Sequence, residues 1–492
     1  MLFRKFAPFA ALLGLVLAAC QPDLEDDFKP SAGSANFSRY IAVGNSLTAG
    51  FADNGLYLEG QLNSYPNILA QQFRAVGGGE FNQPLFSEGQ SNGSGYLRLA
   101  GFTPAGAPIT AGVPGNAGRI PGAPGSAPYT RFDSRVDNLG IPGIRLSDVQ
   151  TANFGNLAQQ PTPPNATTFN PFFERITPLG NSQSYFQRVK AEAATATFFT
   201  SWLGNNDVLG FALAGGAANT ITNTDTFRLK NNRIINALTI NGAKGVVATI
   251  PDVTTIPFFT TVGPSFRDTL ARPRPNLGLP NGVPGIVILT GAAPGGPASG
   301  NRRQIPTTDI RNANGSSGRQ LFTLTSSPFL GLFNRPTGRP WRFIYGQSGL
   351  PAAGFPLFLA SFGIDTTQAF GATAANPIPS VFVLDDTEQT TIRTATAAFN
   401  SSITAKAAEK GLAVFDSNAF FARVASSGFV TNAVPNTAGF IAGNLFSLDG
   451  VHPTPRGYAV VANEMIRVIN QTYGANVSQV NPNDYRGVRF PQ

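Results

Sequence analysis

Apolar residues in this chain follow two rhythms, short unbroken runs and longer stripes at helical spacing. Tyr40-Ile41-Ala42-Val43 is an unbroken run, the mark of a strand buried on both faces. Residues 196–203, 245–250 and 412–416 read the same way, and Pro251 closes the third of these four runs. Residues 136–143 read as a strand end entering a glycine turn. The helical stripes lie between them. Ser64-Tyr65-Pro66 starts a helix, with Pro in the first turn and Ile68, Leu69 and Phe73 on one face. Residues 184–194 read as a second helix, and 227–240 as a third with Phe227, Ile234, Ile235 and Leu238 as its stripe. A long helix follows over about 387–410, with Ile392, Phe399 and Ile403 on one side and Gly411 at its end. The last helix opens at Thr454-Pro455, a cap and a first-turn proline, and turns Tyr458, Val461, Met465 and Ile469 inward.

Strands alternating with helices predict an α/β domain with a parallel central sheet and helices on both faces. Ligands of such sheets bind beyond the carboxyl ends of the strands. Ser46, Gly143 and Asn206 each follow a strand or its end, so they are expected on one rim. Two Gly/Pro-rich stretches, at about 76–130 and 262–380, break the rhythm and read as large loop insertions in a domain spanning 36–475, before a C-terminal tail at 476–492. Phe is common, at 40 residues, and clusters in the second insertion. Phe329, Phe333, Phe355 and Phe358 either line a pocket or lid there or pack the insertion onto the core.

The amino terminus is not part of this pattern. Arg4 and Lys5 precede an apolar stretch, residues 6–17, too short to span a bilayer as a stable helix. Leu17-Ala18-Ala19-Cys20 then resembles a bacterial lipobox, in which the cysteine is lipidated and becomes the first mature residue. Residues 1–20 are read as the lipoprotein signal and 21–35 as a flexible tether, acidic at Asp23, Glu25, Asp26 and Asp27. This resemblance implies an exported lipoprotein held on a membrane by its lipid, at the periplasmic face or the surface of an outer membrane. Cys20 is the only cysteine, so the mature chain has no disulfide and depends on burial for stability.

The formal charge of +8 falls to +6 without Arg4 and Lys5, and the longest basic run is the pair Arg302-Arg303. No stripe suited to nucleic acid results. One histidine and one cysteine offer no metal-ligand cluster, and no glycine loop suits a phosphate, so no metal or cofactor is expected.

The single histidine carries the chemistry. His452 sits in Asp449-Gly450-Val451-His452-Pro453, with an acid three residues upstream. Ser46 lies in a glycine-flanked turn near the other end of the chain, Gly44-Asn45-Ser46-Leu47-Thr48-Ala49-Gly50. Serine, aspartate and histidine are the parts of a hydrolase triad. These two blocks, with Asn138 to Gly143 and Gly204-Asn205-Asn206-Asp207, together resemble the SGNH hydrolases, also called GDSL esterases/lipases. Asn45 departs from the usual aspartate of the first block but leaves the nucleophile in place.

The resemblance implies a flavodoxin-like three-layer α/β/α fold and a carboxylesterase or lipase working through an acyl-serine. Ser46 would be the nucleophile, His452 its base and Asp449 the residue that orients the base. The backbone N–H groups of Ser46 and Gly143 (or Gly140 in its place) and the Asn206 amide would form the oxyanion hole. The substrate would be an acyl lipid or an acylated glycan. Two rivals stand beside this reading: a glycan O-deacetylase or acyltransferase on the same fold, and a surface binding lipoprotein without activity.

Overall fold

Five short strands carry the fold: β1 (Tyr40–Gly44), β2 (Asn138–Gly140), β3 (Phe198–Trp202), β4 (Lys244–Ala248) and β5 (Ala413–Phe415). β1, β2 and β3 are buried along their whole length. This explains the unbroken apolar run of β1, since a parallel sheet is covered on both faces. The strands form one sheet in the order β5-β4-β3-β1-β2, and every neighbouring pair is parallel. Read from the other edge the order is 2-1-3-4-5, compatible with a flavodoxin-like fold. The order reverses between β1 and β3, which places a crevice beyond the carboxyl ends of those two strands. The computed structural model describes residues 29–104, 106–118, 129–156, 169–217, 220–291, 301–431 and 433–491.

The helices that matter to the site are α1 (Ser46–Ala49), α2 (Tyr65–Phe73), α3 (Tyr185–Ala193), α4 (Asn206–Leu213), α5 (Thr224–Leu238), α6 (Asp386–Lys410), α7 (Ser417–Ser427) and α8 (Pro455–Tyr473). Local chemistry sets their ends. Asp385 accepts from the N–H groups of Thr387 and Glu388, while Glu388 accepts from Asp385 N–H, a reciprocal cap that starts α6. Thr454 accepts from Gly457 N–H at the start of α8. The helices then pack through aromatic rings. Phe227 of α5 and Phe399 of α6 stack with centroids 3.9 Å apart. Phe73 of α2 meets Phe198 of β3 edge-on at 5.6 Å. The Tyr473 hydroxyl at the end of α8 donates to Gly245 O and accepts from Ala413 N–H, fixing that helix to β4 and β5.

Residues 1–20, including Cys20, and residues 21–28 of the expected tether lie outside the described residues. The rest of the tether behaves differently from expectation. Ser31 and Asn476 exchange backbone hydrogen bonds, Ser34 N–H donates to Tyr473 O, and Ala35 is buried. The globular part therefore begins at about Ser31 rather than after 35. The tail expected from 476 also belongs to it. Asn470 holds Val477 N–H and O, and Val477 is buried. No helix among the described residues is long and apolar enough to cross a membrane.

Both insertions have structure of their own. The first contains an antiparallel pair, Gly95–Phe102 with Pro108–Pro114. The second has two small cores. One gathers Phe266, Ile288, Phe322, Phe329, Phe370 and Phe382, and the other Trp341, Tyr345 and Phe355. Phe329 stacks on Phe382 at 5.2 Å, Phe333 meets Phe266 at 5.9 Å, and Phe358 meets Tyr345 at 5.3 Å. The phenylalanines weighed as a pocket or lid are thus engaged in the insertion's own interior.

The Phe227–Phe399 stack joins two helices whose caps are independent of each other. Phe399→Ala is expected to lower the unfolding free energy by about 3–5 kcal/mol, the range for an aromatic truncated in a core. Urea denaturation followed by circular dichroism measures it.

Candidate active site

β1 ends at Gly44, and the chain turns at once into α1, so Ser46 stands at the carboxyl edge of the sheet. Gly44 is required by close approach, because a Cβ there would run into the Thr48 side chain and Trp202 O. Asn45 caps the turn by accepting from Leu47 N–H at 3.1 Å. The charge missing from Asn45 is therefore not needed for the cap. Ser46 is the first residue of α1, so its N–H has no partner within the helix.

Ser46, His452 and Asp449 form one hydrogen-bonded chain. Ser46 Oγ lies 2.9 Å from His452 Nε2, and His452 Nδ1 lies 2.8 Å from Asp449 Oδ2. The Asp449 carboxylate is held on every side. Its Oδ1 accepts from the N–H groups of Val451 and His452, both at 2.8 Å, and from Ser447 Oγ at 3.1 Å. Its Oδ2 also accepts from Asn54 N–H at 2.9 Å. Burial alone would raise this carboxyl. The His452 ring and the backbone N–H donors outweigh that and hold it at about 2.

A second set of bonds locks the segment after Ser46 to this turn. Asp53 N–H donates to Ser447 Oγ at 2.9 Å, and Asp53 Oδ1 accepts from Leu448 N–H at 2.9 Å. Tyr57 donates to the other Asp53 oxygen at 2.8 Å. Asp53 and Asn54 both have positive φ, 52° and 62°, a conformation their short polar side chains tolerate. The Phe51 ring lies 4.7 Å from the His452 ring, and Phe51 O accepts from the Tyr458 hydroxyl at 2.6 Å. Arg486 from the tail supports the same segment. It binds both oxygens of Glu59, at 2.7 and 2.9 Å, and donates to Tyr57 at 3.1 Å. None of Phe51, Asp53, Asn54 or Arg486 was singled out by motif. Asp53-Asn54-Gly55 is a turn-forming sequence, but nothing local in it points to a partner almost 400 residues away.

The other two blocks meet beside Ser46's strand. Tyr185 of α3 donates to Leu139 O at 2.6 Å and accepts from Gly44 N–H at 3.1 Å, joining the ends of β2 and β1. The two glycine candidates differ in availability. Gly140 is buried inside β2, and its N–H donates to Asn138 Oδ1 at 3.0 Å. Gly143 is exposed in the following turn with φ +81°, and among the described residues its N–H has no hydrogen-bond partner. Asn206 opens α4 and donates one amide hydrogen to Ile144 O at 2.9 Å, and among the described residues the other has no partner. Asp207, next to it, accepts from Leu146 N–H at 2.6 Å, Ser147 N–H at 3.1 Å and Thr222 Oγ at 2.6 Å. Asn206 and Asp207 together fasten the 144–147 loop that follows Gly143. Burial pushes the Asp207 carboxyl up to about 6, against the pull of these donors.

Among the described residues no three His, Cys, Asp or Glu side chains gather as a metal site would need. No family model, curated protein or solved structure matches the chain. The chemistry of the site therefore rests on its geometry.

The two aspartates make opposite contributions to pH-dependent stability. Asp449 is depressed, so its stabilisation is present above the unfolded carboxyl value of about 4 and is lost as pH falls towards about 2. Asp207 is raised, so its contribution is fullest below about 4 and is lost as pH rises through about 6. Wild type should consequently lose stability relative to Asp207→Asn between about pH 4 and pH 7. Urea midpoints of both proteins across that window measure the difference, and a flat difference would contradict the assignment.

Proposed function

We propose that this chain is a serine esterase of the SGNH hydrolase type, acting on carboxylic esters through an acyl-Ser46 intermediate. The observation that carries the proposal is the Ser46–His452–Asp449 chain at 2.9 and 2.8 Å. The sheet order supports the associated three-layer α/β/α arrangement. So does the grouping of the helices, α2 with α8 and α5 with α3 and α6.

In this reading His452 Nδ1–H donates to Asp449, which fixes the tautomer and leaves Nε2 free to accept the Ser46 proton. A carboxyl held at about 2 stays ionised and favours the imidazolium that forms. Ser46 Oγ attacks the ester carbonyl, and the carbonyl oxygen becomes an oxyanion. The N–H groups of Ser46 and Gly143 and the free Asn206 amide hydrogen receive it. Collapse of the intermediate breaks the bond to the alcohol, which leaves with the proton from His452. Water, deprotonated by the same nitrogen, then attacks acyl-Ser46 and releases the acid.

Asp207 and the Asn206–Ile144 bond matter because donors must be in place before charge develops. Water serves as the acyl acceptor here. An alcohol of a glycan in its place would make the same site an acyltransferase. In this reading the protein is held on a membrane by a lipid at Cys20, a proposal supported by the lipobox-like Leu17-Ala18-Ala19-Cys20.

Hydrolysis of p-nitrophenyl butyrate and laurate by the full chain tests the reading. Ser46→Ala and His452→Ala should each abolish turnover above the hydroxide background. Asn206→Ala should lower kcat by about 10²–10³, with little change in KM, because its donor acts on the transition state. Full activity in Ser46→Ala would overturn the proposal. Inactivity of wild type on these esters and on acetylated glycans would favour a binding lipoprotein.

A further inference from the structure

A cleft of about 560 Å³ opens between the 437–444 loop, the hairpin of the first insertion and the tail, within the roughly 300–1,000 Å³ usual for ligand sites. Most of its wall is apolar: Phe102 and Pro108 from the hairpin, Ala438, Phe440 and Ile441 from the 437–444 loop, and Phe490 from the tail. Phe102 and Phe490 stack at its rim, with centroids 6.1 Å apart, yet remain 43% and 57% exposed. Two large rings kept in water beside an apolar hollow are a common mark of a ligand surface. Ile441 forms part of the floor at φ +63°, where a β-branched residue is a rare outlier. Its buried side chain packs with Leu99 and Leu448, the residue before Asp449.

The polar end of the cleft is unequal in what it offers. The hydroxyls of Thr255, Thr260 and Thr261 already donate to backbone carbonyls. Arg311 is different. It makes one long bond, 3.3 Å, to the carbonyl of the next residue, and no carboxylate pairs with it among the described residues. Arg311 also lines an adjoining polar cleft, where Arg319 and Arg393 are both engaged with aspartates. One uncommitted guanidinium at the end of an apolar trough balances one negative charge. A carboxylate fits that charge, whereas a dianionic phosphate would leave half of its own unpaired.

We propose that this cleft binds a long-chain carboxylate, its alkyl chain along Phe440, Ile441, Phe102 and Phe490 and its head on Arg311. The site is separate from Ser46, although Ile441 and Leu448 put it in contact with the catalytic turn. It does not depend on the esterase reading.

Photo-crosslinking tests it. The full chain, in a neutral sterol-based detergent, is irradiated with dodecanoate bearing a terminal diazirine, and labelled peptides are located by mass spectrometry. Labels are expected on the 97–113, 437–444 and 487–491 segments. Excess dodecanoate should remove them, and dodecyltrimethylammonium should not. Arg311→Gln should cut labelling about ten-fold, as loss of a charge-assisted bond predicts, while Ser46→Ala leaves it unchanged. Labelling scattered elsewhere would overturn the site, as would equal competition by the cationic amphiphile, which needs no variant to fold. Equal labelling of Arg311→Gln would remove the role of its charge.

Discussion

The Asp449 carboxylate is the interaction on which the rest of the site depends. Its two oxygens receive five donors: three from its own turn, one from the His452 ring, and one from Asn54 in the segment after Ser46. Bonds from the turn shape it, and the bond to His452 aims the ring. The bond to Asn54 brings a segment almost 400 residues distant into register with it. A buried carboxylate is costly unless it is fully hydrogen-bonded. The same donors that meet this cost also keep it ionised. Stability and the electrostatics of the site are therefore one arrangement.

The sheet makes that arrangement reachable. β1 and β3 run parallel at the point where strand order reverses, so their carboxyl ends present Ser46 and Asn206 to the same crevice. Tyr185 joins the ends of β1 and β2, and Asp207 holds the loop after Gly143. The motif segments are thus braced across the chain as well as by their own neighbours in sequence. Such bracing limits the movement of these groups, as the proposed oxyanion donors would require.

Some of this was readable in the chain and some was not, for physical reasons. β1, β3 and β4 stood out because a strand covered on both faces needs continuous apolar residues. The end of α6 and the start of α8 are legible because such signals are local: Gly411 for one, Thr454 with Pro455 for the other. The short helix α4 escaped notice because Gly210 and its brief length leave no stripe to detect. α7 begins directly after β5 and was equally silent. The attachment of residues 31–35 and of the C-terminal tail is not legible in sequence, because Ser31 meets Asn476, and Glu59 meets Arg486, only through tertiary contact. Ser46, His452 and Asp449 were nominated by residue type and order. Sequence favours Gly143 over Gly140, but the difference in which N–H is already bound shows only in the folded chain.

The central claim is that His452 and Asp449 make Ser46 a nucleophile. Reaction with a fluorophosphonate, followed by peptide mass spectrometry, tests this without knowledge of the natural ester. The account predicts one equivalent of label, on Ser46, in wild type and none in His452→Ala. Label on another serine, or equal labelling of Ser46 in both proteins, would contradict it.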